Sequence, residues 1–151
     1  MRIAFSICCA FISALLLGGC GPAVRSQFSV HEITLPSGEK VYFKRLVKGL
    51  SFNTFDQLTI SPDPEACREP DARRDYVFRA RGQYDVFYRI EGDDLLVFVN
   101  SEVVPPSSPS LSHVRVVLKD QMWWIRARES PTAAGVSKLL LELKGSVCRG
   151  G

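Results

Sequence analysis

The chain has 151 residues, of which 46% are hydrophobic, and a formal net charge of +3. This length is typical of one domain with a sizeable hydrophobic core. Nucleic-acid-binding proteins need a strong, clustered basic surface, so the small positive excess excludes nucleic acid as a predicted partner.

The N-terminus has the organisation of an export signal. Arg2 is followed by an apolar run over residues 3–17, with only Ser6 and Ser13 as polar interruptions. The run has the length of a secretory signal and is shorter than the roughly 20 residues that span a bilayer. Gly21-Pro22 then prevents a helix from continuing. An uncleaved membrane anchor and a buried core helix are the less favoured alternatives.

The end of this run, Leu17-Gly18-Gly19-Cys20, resembles the lipobox of bacterial lipoproteins. The resemblance implies cleavage before Cys20, a diacylglycerol on its sulfur and usually a further acyl chain, such as palmitate, on its new amino group. Gly21 is not Asp, which in Gram-negative lipoproteins implies sorting to the outer membrane, facing the periplasm. The predicted boundaries are a signal peptide at 1–19, a lipidated tether at 20–27 and a β-rich envelope domain at 28–151.

Two cysteines, Cys67 and Cys148, remain after the signal peptide is removed and Cys20 is lipidated. An even pair in an exported protein predicts a disulfide, here between a mid-chain loop and the C-terminus. Two free thiols or a metal pair are the alternatives. Neither cysteine lies in a Cys-x-x-Cys motif and the chain has only two histidines, so no metal or other cofactor is predicted.

The first half of the domain alternates apolar and polar residues as strands do. Residues 28–35 and 41–47 predict a hairpin around Gly38, and 51–60 predicts a further extended piece. Residues 61–75 carry three prolines and many charges, and predict a long surface loop. A solvated connection pinned by the disulfide is favoured over a recognition loop.

The middle of the chain has a stronger β signal. Residues 76–81, 84–90 and 95–99 predict strands, the last two forming a hairpin around the acidic turn 91–94. This turn is interpreted as a hydrophilic hairpin tip, because an EF-hand-like loop needs acidic ligands at wider spacing. Residues 100–112 are rich in proline and serine and predict a second loop.

The last third predicts one more hairpin and a final element. Residues 113–118 and 122–128 are interpreted as its two strands, with 119–121 as the turn. Residues 131–145 fit a strand, which is favoured, or a helix with Ser130 as its N-cap. About 7–9 strands in total predict an all-β, single-domain fold, an antiparallel β-sandwich or barrel.

Strand periodicity places several cations and one tryptophan on shared strand faces. If those faces coincide, they form a basic field for an anionic partner such as lipopolysaccharide, an anionic glycan or an acidic protein surface. The favoured alternative is the ordinary polar face of an antiparallel sheet. The candidate residues are Arg79, Arg81, Arg115, Lys119, Trp124, Arg126 and Arg128. Trp123 is assigned to the core on the opposite face.

No motif predicts catalysis. His31 and His113 lie in strand-like runs, and no nucleophile elbow, metalloprotease helix or phosphate-binding loop is present. The sequence therefore predicts a non-enzymatic binding or structural module, bound to the membrane through Cys20 and partnered by an envelope protein or an anionic glycan. The alternatives are an immunity-type protein against an envelope-acting toxin, and a cell-wall hydrolase whose carboxylates come from distant positions.

Overall fold

The computed structural model describes residues 26–49, 54–79, 85–143 and 147–148, which form two packed β-sheets and one helix. The elements are β1 (Ser26–Thr34), β2 (Lys40–Lys48), β3 (Phe55–Ser61), β4 (Tyr76–Phe78), β5 (Asp85–Glu91), β6 (Asp94–Val99), β7 (Val103–Val104), β8 (Val114–Leu118), α1 (Gln121–Glu129), β9 (Ser137–Leu140) and β10 (Val147–Cys148). The six-stranded sheet has the order β10-β1-β2-β3-β4-β7, and the four-stranded sheet the order β8-β6-β5-β9. The predicted all-β, single-domain class is confirmed, as a sandwich.

The first three strands form the predicted antiparallel meander. The turn between β1 and β2 is closed by the Leu35 N–H, which donates to the Glu39 carbonyl at 2.9 Å, and Gly38 has a φ of 86°. Only glycine adopts such a left-handed conformation without strain. β1 begins at Ser26, two residues before the predicted domain boundary at residue 28. The last two residues of the predicted tether, Ser26 and Gln27, therefore lie in β1, and residues 20–25 lie outside the described part of the chain.

Apolar side chains from the facing sides of the two sheets form the main core. Phe43 lies at its centre, and its ring centroid is 6.4 Å from that of Tyr88 in the opposite sheet. The buried members of this core are Ile33, Leu35, Val41, Phe43, Leu58, Ile60, Phe78, Val86, Leu95, Val97, Val99, Leu111, Val114 and Leu141.

The central strand β2 is buried on both of its faces. Its other face carries Tyr42, Lys44 and Leu46, which point away from the four-stranded sheet and are buried as well. They lie beneath residues 62–75, which we call the covering loop: Lys44 Nζ donates to the Glu65 carbonyl of that loop at 3.1 Å. The predicted surface loop is therefore a packed layer on the outer face of the sheet.

After β6 the chain crosses from the four-stranded sheet to the six-stranded sheet and then returns. Residues 100–113 leave the four-stranded sheet, add β7 to the edge of the other sheet beside β4, and return to begin β8. Because of this crossover, β8 pairs with β6 in parallel, with Leu95 opposite Val114 and Val99 opposite Leu118. The loop predicted at 100–112 thus contains a short strand that the sequence did not reveal.

The hairpin predicted at 113–128 is wrong in its second half, because residues 121–129 form helix α1. Asp120, interpreted as a turn residue, is instead the N-cap: its carboxylate accepts a hydrogen bond from the Trp123 N–H at 2.7 Å. At the other end the Ser130 N–H donates to the Arg126 carbonyl at 2.9 Å. Ser130 therefore follows a helix and does not begin one.

Helix α1 packs on the outer face of the four-stranded sheet. Trp124 and Ala127, three residues apart, point from one side of the helix towards the sheet, where Phe87 and Phe98 complete a second buried cluster. The Trp124 and Phe87 rings meet edge to face with centroids 4.7 Å apart. Trp124 is buried and Trp123 only half-buried, so the predicted assignment of the two tryptophans to opposite faces of a strand is wrong.

The stretch at 131–145, for which the sequence allowed a strand or a helix, contains a strand. Residues 131–135 form turns, Gly135 has a φ of 66°, and β9 then pairs antiparallel with β5. The favoured prediction is confirmed for Ser137–Leu140. Residues 144–146 lie outside the described part of the chain.

Hydrogen bonds join the two sheets at two levels along the strands. At one end, which we call the turn end, the Glu39 carboxylate accepts the backbone N–H of Ser112 at 2.9 Å and that of His113 at 3.1 Å. Towards the other end, where β1 begins and which we call the entry end, Arg45 Nη1 donates to the Leu141 carbonyl at 3.0 Å. Hydrogen bonds between the sheets therefore fix the layers along the strand direction.

We expect Trp124→Ala to lower the free energy of unfolding by about 3–5 kcal/mol, because it leaves a cavity between α1 and the sheet. Urea unfolding followed by circular dichroism measures the change. Met122→Ala is the matched control, since Met122 lies on the exposed side of the same helix and its loss should leave stability nearly unchanged. Equal effects of the two changes would contradict the packing of α1.

Candidate functional site

The structure does not assemble the predicted basic face. Arg79 follows β4 in the six-stranded sheet, whereas Arg115 lies in β8 of the four-stranded sheet. Trp124 is buried beneath α1 and is not available to a partner. Arg126 is exposed on α1, and Arg81 lies outside the described residues. Arg79 and Arg115, which strand periodicity groups together, therefore lie in different sheets.

Three of the predicted cations already have acidic neighbours. The ion pairs are Arg79 with Glu102 at 3.3 Å, Arg115 with Asp94 at 2.8 Å and Arg128 with Asp85 at 3.1 Å. Such surface pairs contribute little to stability, but each carboxylate cancels much of the field of its arginine. A broad basic field for an anionic glycan is not supported by this arrangement.

Lys119 has a different role, beside the aromatic cluster. Its ammonium lies 5.5 Å from the ring centroid of Phe98 and 5.5 Å from that of Trp123. The Arg89 guanidinium lies 5.7 Å from the Phe98 ring centroid. These are distances at which a cation is attracted to an aromatic face. Lys119 is thus held beside the aromatic cluster, two residues before α1 begins.

Neither histidine is in a catalytic arrangement among the described residues. His113 Nδ1 lies 3.4 Å from Asp94 Oδ1, which resembles the orienting half of a catalytic triad. The neighbouring Ser112 hydroxyl, however, donates to the Glu39 carboxylate at 3.0 Å and not to His113. His31 lies in β1, opposite Phe43 of β2. Over the described ranges, no group of three or more His, Cys, Asp or Glu side chains could hold a metal ion.

A charged cluster in the covering loop was not found by sequence reasoning. The Asp75 carboxylate is fully buried and accepts the backbone N–H of Asp71 at 2.8 Å and Arg68 Nη2 at 3.3 Å. Asp63 lies 3.6 Å from Arg68 Nε. The only sequence signal is a single arginine within reach of three aspartates, and it becomes meaningful only when the loop folds back on itself.

Lys44 lies beneath this cluster and is 3% exposed. Burial lowers the pKa of the Lys44 ammonium below its ordinary value, and the Asp75 carboxylate partly offsets this effect. Nearby, a hydrogen bond from the Glu65 N–H holds the pKa of the Asp63 carboxyl below its ordinary value. A lowered lysine pKa is one property of catalytic lysines. Here the amine is enclosed by the loop, so the arrangement is that of a structural contact.

The described surface also has open grooves. One of about 420 Å³ runs between the edge strands β7 and β8 and is mostly apolar. It is lined by Tyr76, Val99, Ser101, Glu102, Val103, Pro105, Val116 and Leu118. Another, of about 540 Å³, lies between β5 and the turn before β9. Neither lining contains a histidine or a cysteine.

The two cysteines of the predicted disulfide lie in β10 and in the covering loop. Ser26 lies opposite Cys148 of β10 on one side and opposite Lys48 of β2 on the other, which makes one row across the three strands. Lys48 Nζ binds Glu69 Oε1 at 2.7 Å, and Glu69 is two residues from Cys67. The row that contains Cys148 thus runs to the segment of the covering loop that contains Cys67.

Comparisons with models of protein families, with curated proteins and with solved structures find no significant match to this chain. In the part of the chain that the structure describes, no helix is both long and apolar enough to cross a membrane.

We expect Asp75→Ala to lower the free energy of unfolding by about 3 kcal/mol, because it leaves the Arg68 guanidinium and the Asp71 N–H without their buried acceptor. Thermal or urea unfolding measures the loss. Glu69→Ala is the matched control on the same loop: its ion pair with Lys48 is exposed and should matter little. A loss no larger than that of the control would show that the covering loop does not depend on Asp75.

We expect Cys67 and Cys148 to be oxidised in the exported protein. Alkylation of unfolded protein should then modify both cysteines only after reduction. Cys67→Ser should lower the free energy of unfolding by on the order of 4 kcal/mol, an upper figure because many measured bridges give less. Two thiols that react in the unreduced, unfolded protein would contradict the bridge.

Proposed function

We propose that the protein is a lipid-anchored component of the bacterial cell envelope, and that its sandwich is a non-enzymatic binding or structural module. Acyl chains on Cys20 would hold the protein in the outer membrane, with its domain in the periplasm. An accessory subunit of an envelope complex is the role that suits such a module. The observation that carries the proposal is the lipobox-like motif placed directly before a folded domain.

The spacing between motif and domain supports this anchoring. β1 begins at Ser26, so six residue steps separate it from Cys20. Fully extended, these reach at most roughly 20 Å. Because the folded strand follows the acylated Cys20 so closely, the domain would stay beside the membrane to which Cys20 is attached.

The roles of the charged side chains support a module without catalysis. Buried Lys44, Arg45 and Asp75 each contact groups that hold two parts of the fold together. Among the described residues the Asp94–His113 pair is the arrangement most like a catalytic dyad, and its neighbouring serine is bound to Glu39. The predicted disulfide also fits an oxidising compartment such as the periplasm.

The intact mass of protein extracted from membranes tests the proposal. We expect a chain that begins at Cys20, carries two or three acyl chains, and sediments with the membrane fraction. Cys20→Ser should abolish acylation and release the protein from membranes. Unacylated wild-type protein in the soluble fraction would refute the anchor.

Crosslinking in cells tests the second half of the proposal. We expect a defined envelope protein to be captured with wild-type protein and lost with the unanchored Cys20→Ser variant. A chain that stays monomeric and captures nothing from native membranes would argue against an accessory subunit. Turnover of peptidoglycan fragments by the purified protein would favour the hydrolase alternative.

A further inference from the structure

The strand β8 lies at the edge of the four-stranded sheet and pairs with β6 along one side only. Lys119, which directly follows β8, donates its N–H to the Val99 carbonyl of β6 at 2.7 Å. Along a strand, successive residues direct their backbone groups to alternate sides, so Lys119 and Val117 face β6. The backbone N–H and C=O groups of Val116 and Leu118 therefore point away from β6.

This outer edge of β8 is open at two residues. The Tyr76 hydroxyl donates to the Val114 carbonyl at 3.5 Å and so occupies the first outward carbonyl of the strand. For Val116 and Leu118, no residue within the described ranges forms a hydrogen bond on this side. Unpaired N–H and C=O groups at a strand edge are a template for a further strand.

The edges of the six-stranded sheet are better protected than the edge of β8. β7 and β10 have only two residues each, and Pro105-Pro106 directly follows β7. Short edge strands and prolines are devices that prevent pairing with other chains. β8 has five residues, of which four are valine or leucine, and it contains no proline. Its composition thus permits pairing.

The side chains of the same residues border an apolar groove. Val114 is buried in the main core and Val116 packs against that core, so alternation directs Leu118 to the same inner side. Leu118 is nevertheless 70% exposed. The groove of about 420 Å³ lies between Val116 and Leu118 on one side and Val103 and Pro105 on the other. A strand added to β8 would place every second side chain over this groove.

The outer side of β8, towards α1, carries cations. Val117 packs against the second buried cluster, so Arg115 and Lys119, each two positions away, share its face. Asp94 pairs with Arg115, whereas Lys119 contacts two aromatic rings. Opposite charges on neighbouring strands stabilise their pairing. This face therefore favours a neighbouring strand with acidic side chains.

These cations argue against a second copy of the chain at this edge. A two-fold antiparallel pairing that uses all the free backbone groups places Val116 opposite Leu118 of the copy. The same register places Arg115 directly opposite Lys119 of the copy, and this happens twice in the dimer. Like charges directly opposite each other destabilise a strand pair. The edge is therefore better suited to a different chain.

We propose that the outer edge of β8 and the groove beside it bind an extended segment of another protein. The segment has apolar residues over the groove and acidic residues beside Arg115 and Lys119, and its backbone adds a fifth strand to the four-stranded sheet. This inference rests on the proposed role of the sandwich as a binding module and names the class of its partner. It does not depend on the lipid anchor.

Amide hydrogen exchange of the mature, acylated protein in detergent micelles, followed by NMR, tests whether the edge is free. We expect the N–H groups of Val116 and Leu118 to exchange much faster than that of Val117, which faces β6. Slow exchange at all three would show that the edge is already covered and would overturn the proposal. Protection that rises with protein concentration would identify a second copy as the occupant.

A synthetic peptide of alternating glutamate and valine, about seven residues long, tests the occupant. At about ten times its Kd, the peptide should slow exchange at Val116 and Leu118 roughly tenfold by mass action. The matched control peptide has lysine in place of glutamate and should slow neither amide at the same concentration. No protection by the glutamate peptide at its solubility limit, or equal protection by both peptides, would overturn the proposed occupant.

Two variants test the contacts. Leu118→Pro removes an outward N–H without removing a bond to β6, and should abolish protection of Val116 by the glutamate peptide. Leu118→Thr keeps the N–H and is the matched control, which should still bind; equal binding by the two variants would contradict the strand pairing. Should Leu118→Pro fail to fold, Lys119→Glu should reverse the preference between the two peptides, and an unchanged preference would overturn the role of the cations.

The outcomes for this site and for the anchor are separable. Loss of both peptide effects in protein that is acylated on Cys20 and still captures an envelope protein would overturn this site alone. An unacylated Cys20 in protein that binds the glutamate peptide would overturn the anchor and support the site.

Discussion

The fold depends on how the charges of the central strand are accommodated. β2 is buried on both faces, yet it carries Lys44 and Arg45 in its middle. Arg45 points between the sheets, where it donates two hydrogen bonds to the Asp56 carboxylate, at 3.0 and 2.9 Å, and a third to the Leu141 carbonyl. Lys44 points to the other side and reaches the Glu65 carbonyl. Because an unpaired buried charge costs several kcal/mol, each cation determines where a distant segment must pack.

The need to pair the buried charges of Lys44 and Arg45 determines which segments pack on each side of β2. The partner of Lys44 lies in the covering loop, whose own shape is maintained by Asp75 and Arg68. The partners of Arg45 connect the six-stranded sheet to the segment that follows β9. With α1 on the opposite side, both outer faces of the sandwich are covered over much of their area. Among the described residues, the groove between the edge strands β7 and β8 remains open.

Short-range sequence patterns predicted most of the strands. They did not predict that the covering loop and α1 pack on the outer faces of the sheets. Alternation and Gly38 were sufficient for the first hairpin, and Gly92, with a φ of 60°, for the hairpin of β5 and β6. The failure at 121–129 has a definite cause. Trp124, Arg126 and Arg128 alternate with apolar residues as a strand would, whereas the capping role of Asp120 and the three-residue spacing of Trp124 and Ala127 indicate the helix.

The site residues were harder to predict for a different reason. Strand periodicity tells which side chains share a face of one strand, but not which sheet that strand joins or which acids lie beside it. Arg79 and Arg115 were grouped together although Glu102 and Asp94 neutralise them in different sheets. Likewise, Asp75 can be recognised as a buried acceptor only after the loop has folded over β2. The ion pairs of these arginines and the burial of Asp75 both depend on long-range contacts. A single sequence does not show which distant residues are in contact.

The pairing of β10 with β1 has a consequence for how the chain folds. The first and last described strands are neighbours, with Ser26 opposite Cys148, so part of the edge of the six-stranded sheet is formed by residues more than 100 positions later in the chain. Until β10 pairs with it, the start of β1 presents unpaired backbone N–H and C=O groups, and such an open edge can pair with other chains. Full pairing of β1 must therefore await residues 147–148, and a chain cut before them would leave Ser26 and Gln27 at an open, pairing-prone edge.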